Sequence, residues 1–347
     1  MAGAVALLAG CGSAPENSGS ASGGTAESDY LPCMVSDAGG FDDRSFNQLG
    51  KEGLDAAAAA LGVETIEVES AAETDYASNL QNLVDQGCNT IVTVGFLLAP
   101  AALESAQANA DIEYVSIDDP VDQDFDGNTD AENIKPIIFD TSQAAFLAGY
   151  LSAGVSKTGI VGTFGGMDIP TVTIFMDGFS QGVDYYNEQK GTSVQVLGGD
   201  LFTGGFEAND TARQAAQSLI DQNADIILPV GGPIYQSAAV AIRDAGREIA
   251  LIGVDADVYE TDDSVADLLL TSIRKGIDVG VEDAITEAGN GEFDATPFVG
   301  TLENEGVGLA PFHDWSDRVP ADLAAEVEAL QASIISGDVT VESYLNG

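Results

Sequence analysis

Strand-like and helix-like segments alternate along this chain, and the alternation runs through twice. Residues 30–36 read as a strand and lead into a glycine-rich turn. Residues 45–61 follow as a helix with a small-residue face, carrying Phe46, Leu49, Gly53 and Leu54 ahead of the run Ala56 to Ala60. Residues 65–69 alternate apolar and acidic side chains, as a strand with one wet face does. A helix over 75–86, an apolar strand over 90–94, a helix through Leu103 and strands over 114–117 and 137–139 complete the first series. The pattern then restarts. Residues 159–164, 194–197, 226–230 and 251–254 read as strands, and 146–151, 172–186, 211–222 and 237–245 as helices. Such a series implies an α/β fold, with each sheet parallel and covered by helices on both faces. The expectation is two Rossmann-like lobes joined by a hinge. Short strands near 270–273 and 298–308 and helices near 279–288 and 321–336 are expected to cross back between them. The lobes are accordingly set at residues 30–140 plus about 256–295, and 141–255 plus about 296–347.

Residues 1–11 form a short apolar run ending in Leu8-Ala9-Gly10-Cys11, which resembles a bacterial lipobox. On that reading the run is a signal peptide and Cys11 carries the lipid, a firm anchor at a membrane. The run lacks the basic residues that usually open such a segment, since the first in the chain is Arg44. Residues 12–29 are rich in Gly, Ser, Ala and Glu with no apolar period, and read as a flexible tether. No later stretch approaches the roughly 18–20 apolar residues of a membrane span.

The chain holds 57 acidic against 11 basic residues, a formal charge of −46. A field of that sign repels phosphates, which argues against nucleic acid as a partner. Two cysteines remain, Cys33 in the first strand and Cys88 just before the third. In a doubly wound sheet of order 2-1-3 those strands are neighbours, so export permits a disulfide; two buried thiols are the alternative.

Open α/β sheets bind ligands beyond the carboxyl ends of their strands. The polar strand ends here are Ser36-Asp37, Gly95-Phe96, Asp118-Asp119, Gly165-Gly166, Gly231-Gly232 and Asp255. The most informative stretch is Asp37-Ala-Gly-Gly-Phe-Asp-Asp-Arg-Ser-Phe-Asn-Gln48. A strand ends, a glycine turn follows, and a helix opens with Ser45 as its expected N-cap. Asp37, Phe46 and Asn47 then bring a carboxylate, an aromatic face and an amide to one cleft, a set that suits a planar, hydrogen-bonding ring. Asp122-Gln-Asp-Phe-Asp-Gly-Asn-Thr-Asp130 begins like a calcium loop, but its twelfth position is Asn133 in place of a bidentate Glu. It reads as a solvated acidic loop, and no metal or other cofactor is expected.

The 37–48 stretch resembles the signature of the basic membrane protein family of bacterial lipoproteins, which includes purine nucleoside receptors. The similarity continues in Asp75-Tyr-Ala-Ser-Asn79, Gly87-Cys88, Ile160-Val-Gly-Thr-Phe-Gly-Gly166, Ile169-Pro-Thr-Val172, Phe175-Met-Asp-Gly-Phe-Ser-Gln-Gly182, Gly205-Phe206, Pro229-Val-Gly-Gly232, Ile252-Gly-Val-Asp255 and Thr271-Ser-Ile-Arg-Lys275. It covers roughly residues 30–285. The resemblance implies a type I periplasmic-binding-protein fold and a role as the solute-binding lipoprotein of an ABC importer, with permease and ATPase subunits as partners. It implies that Phe46 and Phe206 sandwich a base, and that Asp37, Asn47 and Asp118 bond its polar edge. Asp255, Lys275 and the backbone at Gly231 or Gly232 would hold the ribose. Phe202 lies close enough in sequence to compete with Phe206, and Asp119 with Asp118.

An enzyme is not expected. The single histidine, His313, sits in a Pro/Phe/Trp-flanked segment and reads as structural, and no nucleophile elbow, P-loop lysine or zinc spacing is expected. A transcriptional effector module would need a basic DNA-binding head, and residues 1–43 contain no Lys or Arg. A sugar- or autoinducer-binding protein of the same fold is the alternative, because sugar sites also use aromatic stacking and carboxylates.

Overall fold

The computed structural model describes residue 1, residues 30–123 and residues 127–346. Cys11 and the tether at 12–29 therefore lie outside the described residues, as do residues 124–126 of the acidic loop.

The first lobe begins with β1 (Pro32–Val35), α1 (Phe46–Leu61), β2 (Ile66–Val68), α2 (Tyr76–Asp85), β3 (Thr90–Val94), α3 (Ala99–Ala108), β4 (Glu113–Ile117) and β5 (Ile134–Phe139). The chain then enters the second lobe through α4 (Thr141–Val155), β6 (Ile160–Gly165), α5 (Pro170–Lys190), β7 (Gln195–Leu197), α6 (Asp210–Asp221), β8 (Ile226–Val230), α7 (Ile234–Ala245), β9 (Ala250–Asp255), the short α8 (Val258–Thr261) and β10 (Leu269–Lys275). It closes with α9 (Ile277–Gly289), β11 (Phe298–Gly300), β12 (Val307–Leu309) and α10 (Ala321–Ile335).

Two six-stranded sheets result, ordered β2-β1-β3-β4-β5-β11 and β7-β6-β8-β9-β10-β12. Each strand of one has a counterpart in the other, so the lobes repeat one topology. Pairing is parallel throughout except for β12 against β10. The central strands β3 and β8 are buried at every position, as a sheet covered on both faces requires. α4 is buried nearly all round, because it lies between its sheet and the helices α5 and α10. α1 buries Gly50, Gly53, Leu54, Ala57 and Ala58 in a small-residue face that lets α9 approach closely, and Gly62 ends it in a left-handed conformation.

Strand pairing divides the tail differently from the sequence expectation. β10, expected with the first lobe, lies parallel to β9 in the second sheet, and β11, expected with the second lobe, extends the first sheet beside β5. The reason is burial. Six of the seven residues of β10 are buried, and the position beside β9 pairs its backbone while α4, α8 and residues 313–315 pack on it. α9 instead packs on α1 and on the first sheet. The backbone therefore crosses between lobes at Asp140, at Gly276 and over residues 301–306. The crossings brace one another through Asp140 N–H to Gly300 O (2.8 Å) and Gly276 N–H to Gly306 O (2.9 Å).

Cys33 and Cys88 are joined as a disulfide with Cα atoms 5.9 Å apart, linking β1 to the start of β3. No helix among the described residues is long and apolar enough to cross a membrane.

Candidate ligand-binding cleft

The carboxyl ends of both sets of strands face one cavity, which leaves about 570 Å³ unfilled by protein atoms, its mouth included. That size suits a small organic molecule. Asp37, Phe46, Asn47, Asp118, Phe206, Gly231, Gly232, Asp255 and Lys275 all line it. Phe202 and Asp119 do not. Phe202 pairs through its backbone with Gly165, and Asp119 turns back to accept from Ser116 Oγ (3.0 Å) and Val121 N (2.9 Å).

One wall is built by the turn from β1 into α1. Asp43, not Ser45, caps the helix: its carboxylate accepts from the backbone N–H groups of Ser45 (3.0 Å), Asn47 (2.9 Å) and Gln48 (3.1 Å). A full negative charge at a helix N-terminus competes better for those groups than a hydroxyl does. Freed of that task, Ser45 Oγ reaches across the cleft to Val254 O (3.0 Å) and Asp255 Oδ2 (3.2 Å). Asn47 Nδ2 donates to Asp37 Oδ1 (2.8 Å) and Asp43 Oδ2 (3.2 Å). Carboxylates only accept, so that face of the amide must be its NH₂, and both hydrogens are spent there. Asn47 Oδ1 is left buried without a partner. Asp37 Oδ1 also accepts from Gly39 N (3.0 Å), while Oδ2 faces Gly95. A Cβ at Gly95, whose φ is 111°, would come within 2.7 Å of that oxygen, so only glycine leaves it room.

The floor holds the charge. Lys275, at the end of β10, places Nζ 2.6 Å from Asp118 Oδ2 of the first lobe and 3.7 Å from Asp255 Oδ1 of its own lobe. The ammonium also lies 5.2 Å from the ring centre of Phe46, 5.6 Å from Phe139 and 5.1 Å from Phe175, an aromatic surround that favours a cation. Burial pushes the pKa of Asp255 up to about 6; Lys275 opposes the shift, and Asp118 and Asp43 add to it. Asp37 is also pushed up to about 6 by burial, with the bonds from Gly39 and Asn47 opposing. Burial raises Asp118 and Asp43 as well. The cavity thus sets one lysine among Asp37, Asp43, Asp118 and Asp255, which favours neutral, donor-rich guests over anions.

The opposite wall is apolar. Phe206 lies over the backbone of Gly166 and Gly231, and a Cβ on Gly231, whose φ is 144°, would meet the ring at 2.7 Å. Ile169, Val172, Phe175 and Pro233 complete that side, with Phe96 and Leu97 from the first lobe.

Sequence reasoning passed over the cleft roles of Asp43 and Phe175. Phe175 had a readable signal: α5 follows β6 as α1 follows β1, so an aromatic early in α5 matches Phe46 by architecture. Asp43 gave only the weaker sign of an acidic residue just ahead of a helix. Against the expectation of no nucleophile elbow, Gly178-Phe-Ser-Gln-Gly182 has the spacing of one. It lies in the middle of α5, where Ser180 Oγ donates to Met176 O (2.8 Å), and not on the strand-to-helix turn an elbow needs. His313 stacks on Tyr259 with ring centres 3.9 Å apart and bonds Asp257 Oδ2 at 2.9 Å, apart from the cavity lining. Among the described residues no cluster has the composition of a metal site.

The family described as ABC transporter substrate-binding protein, PnrA-like, matches residues 31–343. A protein of Listeria monocytogenes named CD4+ T-cell-stimulating antigen is 29% identical over 330 residues, spanning 90% of this chain and 88% of its own. The protein of Lactococcus lactis named ABC transporter nucleoside-binding protein BmpA is 26% identical over 356 residues, 98% of this chain and 95% of its own. Among solved structures, an ABC transporter solute-binding protein from Aeropyrum pernix K1 superposes with a TM-score of 0.80 at 24% identity, over 90% of this chain and 92% of that one, a likeness of fold.

Proposed function

The chain belongs to the PnrA-like family of ABC transporter substrate-binding proteins, and on that premise we propose that its cleft captures a nucleoside with a purine base. The loaded protein would deliver it to the permease and ATPase subunits of an importer. Phe46 and Phe206 would take the base between them. Asp37 and Asn47 would read its edge, with Asp118 beside them. Asp255, Lys275 and the backbone at Gly231 and Gly232 would hold the ribose.

The observation that carries this reading is the orphaned Asn47 Oδ1. With both amide hydrogens committed to Asp37 and Asp43, the polar wall offers acceptors alone, Asn47 Oδ1 and Asp37 Oδ2. A guest that satisfies them must present adjacent N–H donors on a flat edge. The N1–H and N2–H₂ of guanine do so, and the N1–H of hypoxanthine does in part. A buried acceptor left without a donor costs about 1–3 kcal/mol, so such a guest is strongly favoured. The curated relative named for nucleoside binding supports the same class.

Mass spectrometry of small molecules released from the purified chain tests the reading, followed by titration calorimetry against nucleosides, free bases and sugars. A purine nucleoside should be recovered and should bind. Binding of a sugar with none of any nucleoside would replace this reading with the sugar- or autoinducer-binding one. We further propose that Cys11 carries a lipid that holds the body at the outer face of the cell membrane. Cys11→Ser should release the chain from membranes, and unchanged partition would overturn the anchor.

A further inference from the structure

The turn that presents Phe46 and Asn47 is held from the other lobe. Arg44 lies two residues ahead of Phe46 and sits at φ 57°, a left-handed conformation uncommon for a non-glycine residue. Three contacts hold the turn. Arg44 Nη1 lies 2.7 Å from Asp262 Oδ1, Thr261 Oγ1 donates to Arg44 O at 2.8 Å, and Ser45 Oγ donates to Val254 O and Asp255 Oδ2. Arg44 and Ser45 belong to the first lobe; Val254, Asp255, Thr261 and Asp262 belong to the second.

The two halves of the ion pair differ in kind. Asp262 is 2% exposed at its side chain and is fixed from within its own lobe by Tyr235 OH (3.0 Å), Ser264 N (3.0 Å) and Ser264 Oγ (2.6 Å). It is a preformed acceptor whether or not Arg44 is present. Arg44 is 49% exposed and can return to water when the lobes part. Such a contact can break and re-form, which a fully buried pair cannot do cheaply. The surroundings add to its effect. Asp42 from the first lobe and Glu260 and Asp263 from the second line the groove in which the pair sits, a groove between the lobes that shares no lining residue with the ligand cavity. In a chain of charge −46, drawing the lobes together at that groove brings like charges together. Arg44 is the cation that neutralises them.

We propose that Arg44 and Asp262 form a latch between the lobes beside the cleft, with Arg44 as a positioning residue that touches no ligand but fixes Phe46 and Asn47 in place and slows ligand escape. The proposal rests on the cleft being the ligand site, not on the ligand being a nucleoside. Loss of the latch acts on the closed state and so on the dissociation rate, since association depends on reaching an open cleft.

The test uses the full chain as wild type, Arg44→Ala, Arg44→Lys, Asp262→Asn and the Arg44→Ala/Asp262→Asn double variant, with guanosine as the probe. Arg44→Ala should speed guanosine dissociation about tenfold while association stays within about twofold, the scale of one charge-assisted bond. Arg44→Lys should recover part of the loss. The double variant should be no worse than Arg44→Ala alone. Added salt should speed dissociation from the wild type and barely change Arg44→Ala. Small-angle scattering of the ligand-free chains should show a larger radius of gyration for Arg44→Ala than for wild type. Unchanged dissociation, or a loss confined to association, overturns the latch. If guanosine fails to bind even the wild type, the nucleoside reading falls, and the scattering comparison alone decides the latch: equal radii reject it, and a larger radius for Arg44→Ala sustains it.

Discussion

Asp118 and Asp255 are counterparts in the two lobes, and they meet at one ammonium. Asp118 follows β4 and Asp255 ends β9, the fourth strand of each lobe in chain order. Both adopt left-handed backbone, with φ of 62° and 66°. Both turn toward Lys275, at 2.6 Å and 3.7 Å. Aspartate tolerates that conformation better than most residues, and its recurrence at two strand ends turns both carboxylates toward the same lysine.

Removing the ammonium should be costly near neutral pH. Lys275→Met leaves Asp118 and Asp255 buried with no cation between them. Breaking such a set costs about 3–5 kcal/mol, read as a drop in chemical-denaturation stability at pH 7. The carboxylates can then escape only by taking up protons; Asp255, at about 6 with Lys275 opposing the shift, rises further without it, so the deficit should shrink as the pH falls toward 6. A deficit independent of pH would mean that the packing of the lysine stem, not its charge, was lost.

Stacking should be blind to the identity of the base. Phe46→Ala and Phe206→Ala are each expected to weaken every nucleoside by about 1–3 kcal/mol in titration calorimetry. Phe202→Ala, outside the cavity lining, should leave affinity near the wild-type value.

The pair proposed to read the base edge, Asp37 and Asn47, should be sensitive to pH. Asp37 has a native pKa of about 6, above the ordinary 3.8, so the folded chain holds its proton through a range where the unfolded chain has lost it. Two consequences follow from that sign. The ligand-free chain should gain stability as pH falls from 7 toward 4, on the order of 1–3 kcal/mol, and Asp37→Asn should flatten that gain. Above pH 6 the carboxylate accepts, and guanosine should outbind adenosine. Below pH 6 the protonated acid donates, which suits N1 of adenine and opposes N1–H of guanine. The ratio of the two affinities should therefore move toward adenosine on acidification, and a ratio constant from pH 7 to pH 5 would remove Asp37 from the base edge.

At the sugar end, Asp255→Ala should weaken ribonucleosides by about 1–3 kcal/mol and leave free bases less affected. Comparing guanosine with guanine in one calorimetric series checks it. An equal loss for both would place Asp255 away from the ribose.

The disulfide closes a 55-residue separation between neighbouring strands. Cys33→Ser with Cys88→Ser should lower stability by about 2–4 kcal/mol. β1 leads into Asp37 and β3 into Gly95, so nucleoside affinity of the unliganded pool should also fall in proportion to any local loosening, measured by calorimetry below the melting point.

Much of the fold and of the cleft was legible because both follow local rules. Strand ends in an open parallel sheet converge by topology, so Asp37, Gly231 and Asp255 could be named without coordinates. The tail was not legible in the same way. Nothing in the apolar run of β10 says which sheet has a free edge, and only pairing with β9 decides it. The cap at α1 failed for a related reason. Ser45 and Asp43 both fit the local pattern, and the choice was made by Val254 and Asp255, more than 200 residues away in sequence.

The exchange of β11 and β12 between the sheets bears on how the chain comes to be folded at all. Neither sheet is complete until its last strand arrives, and those strands lie at residues 298–300 and 307–309. α9, which covers α1, is made more than 200 residues after it. A nascent chain holding β1 to β5 thus lacks both a covering helix and an edge strand, and long-range pairings of this kind form slowly. Neither sheet can be completed until nearly all of the chain has been synthesised. If the chain is exported as proposed, that delay would be the interval in which a machinery could thread it, and a protein built from two self-sufficient lobes would not have it.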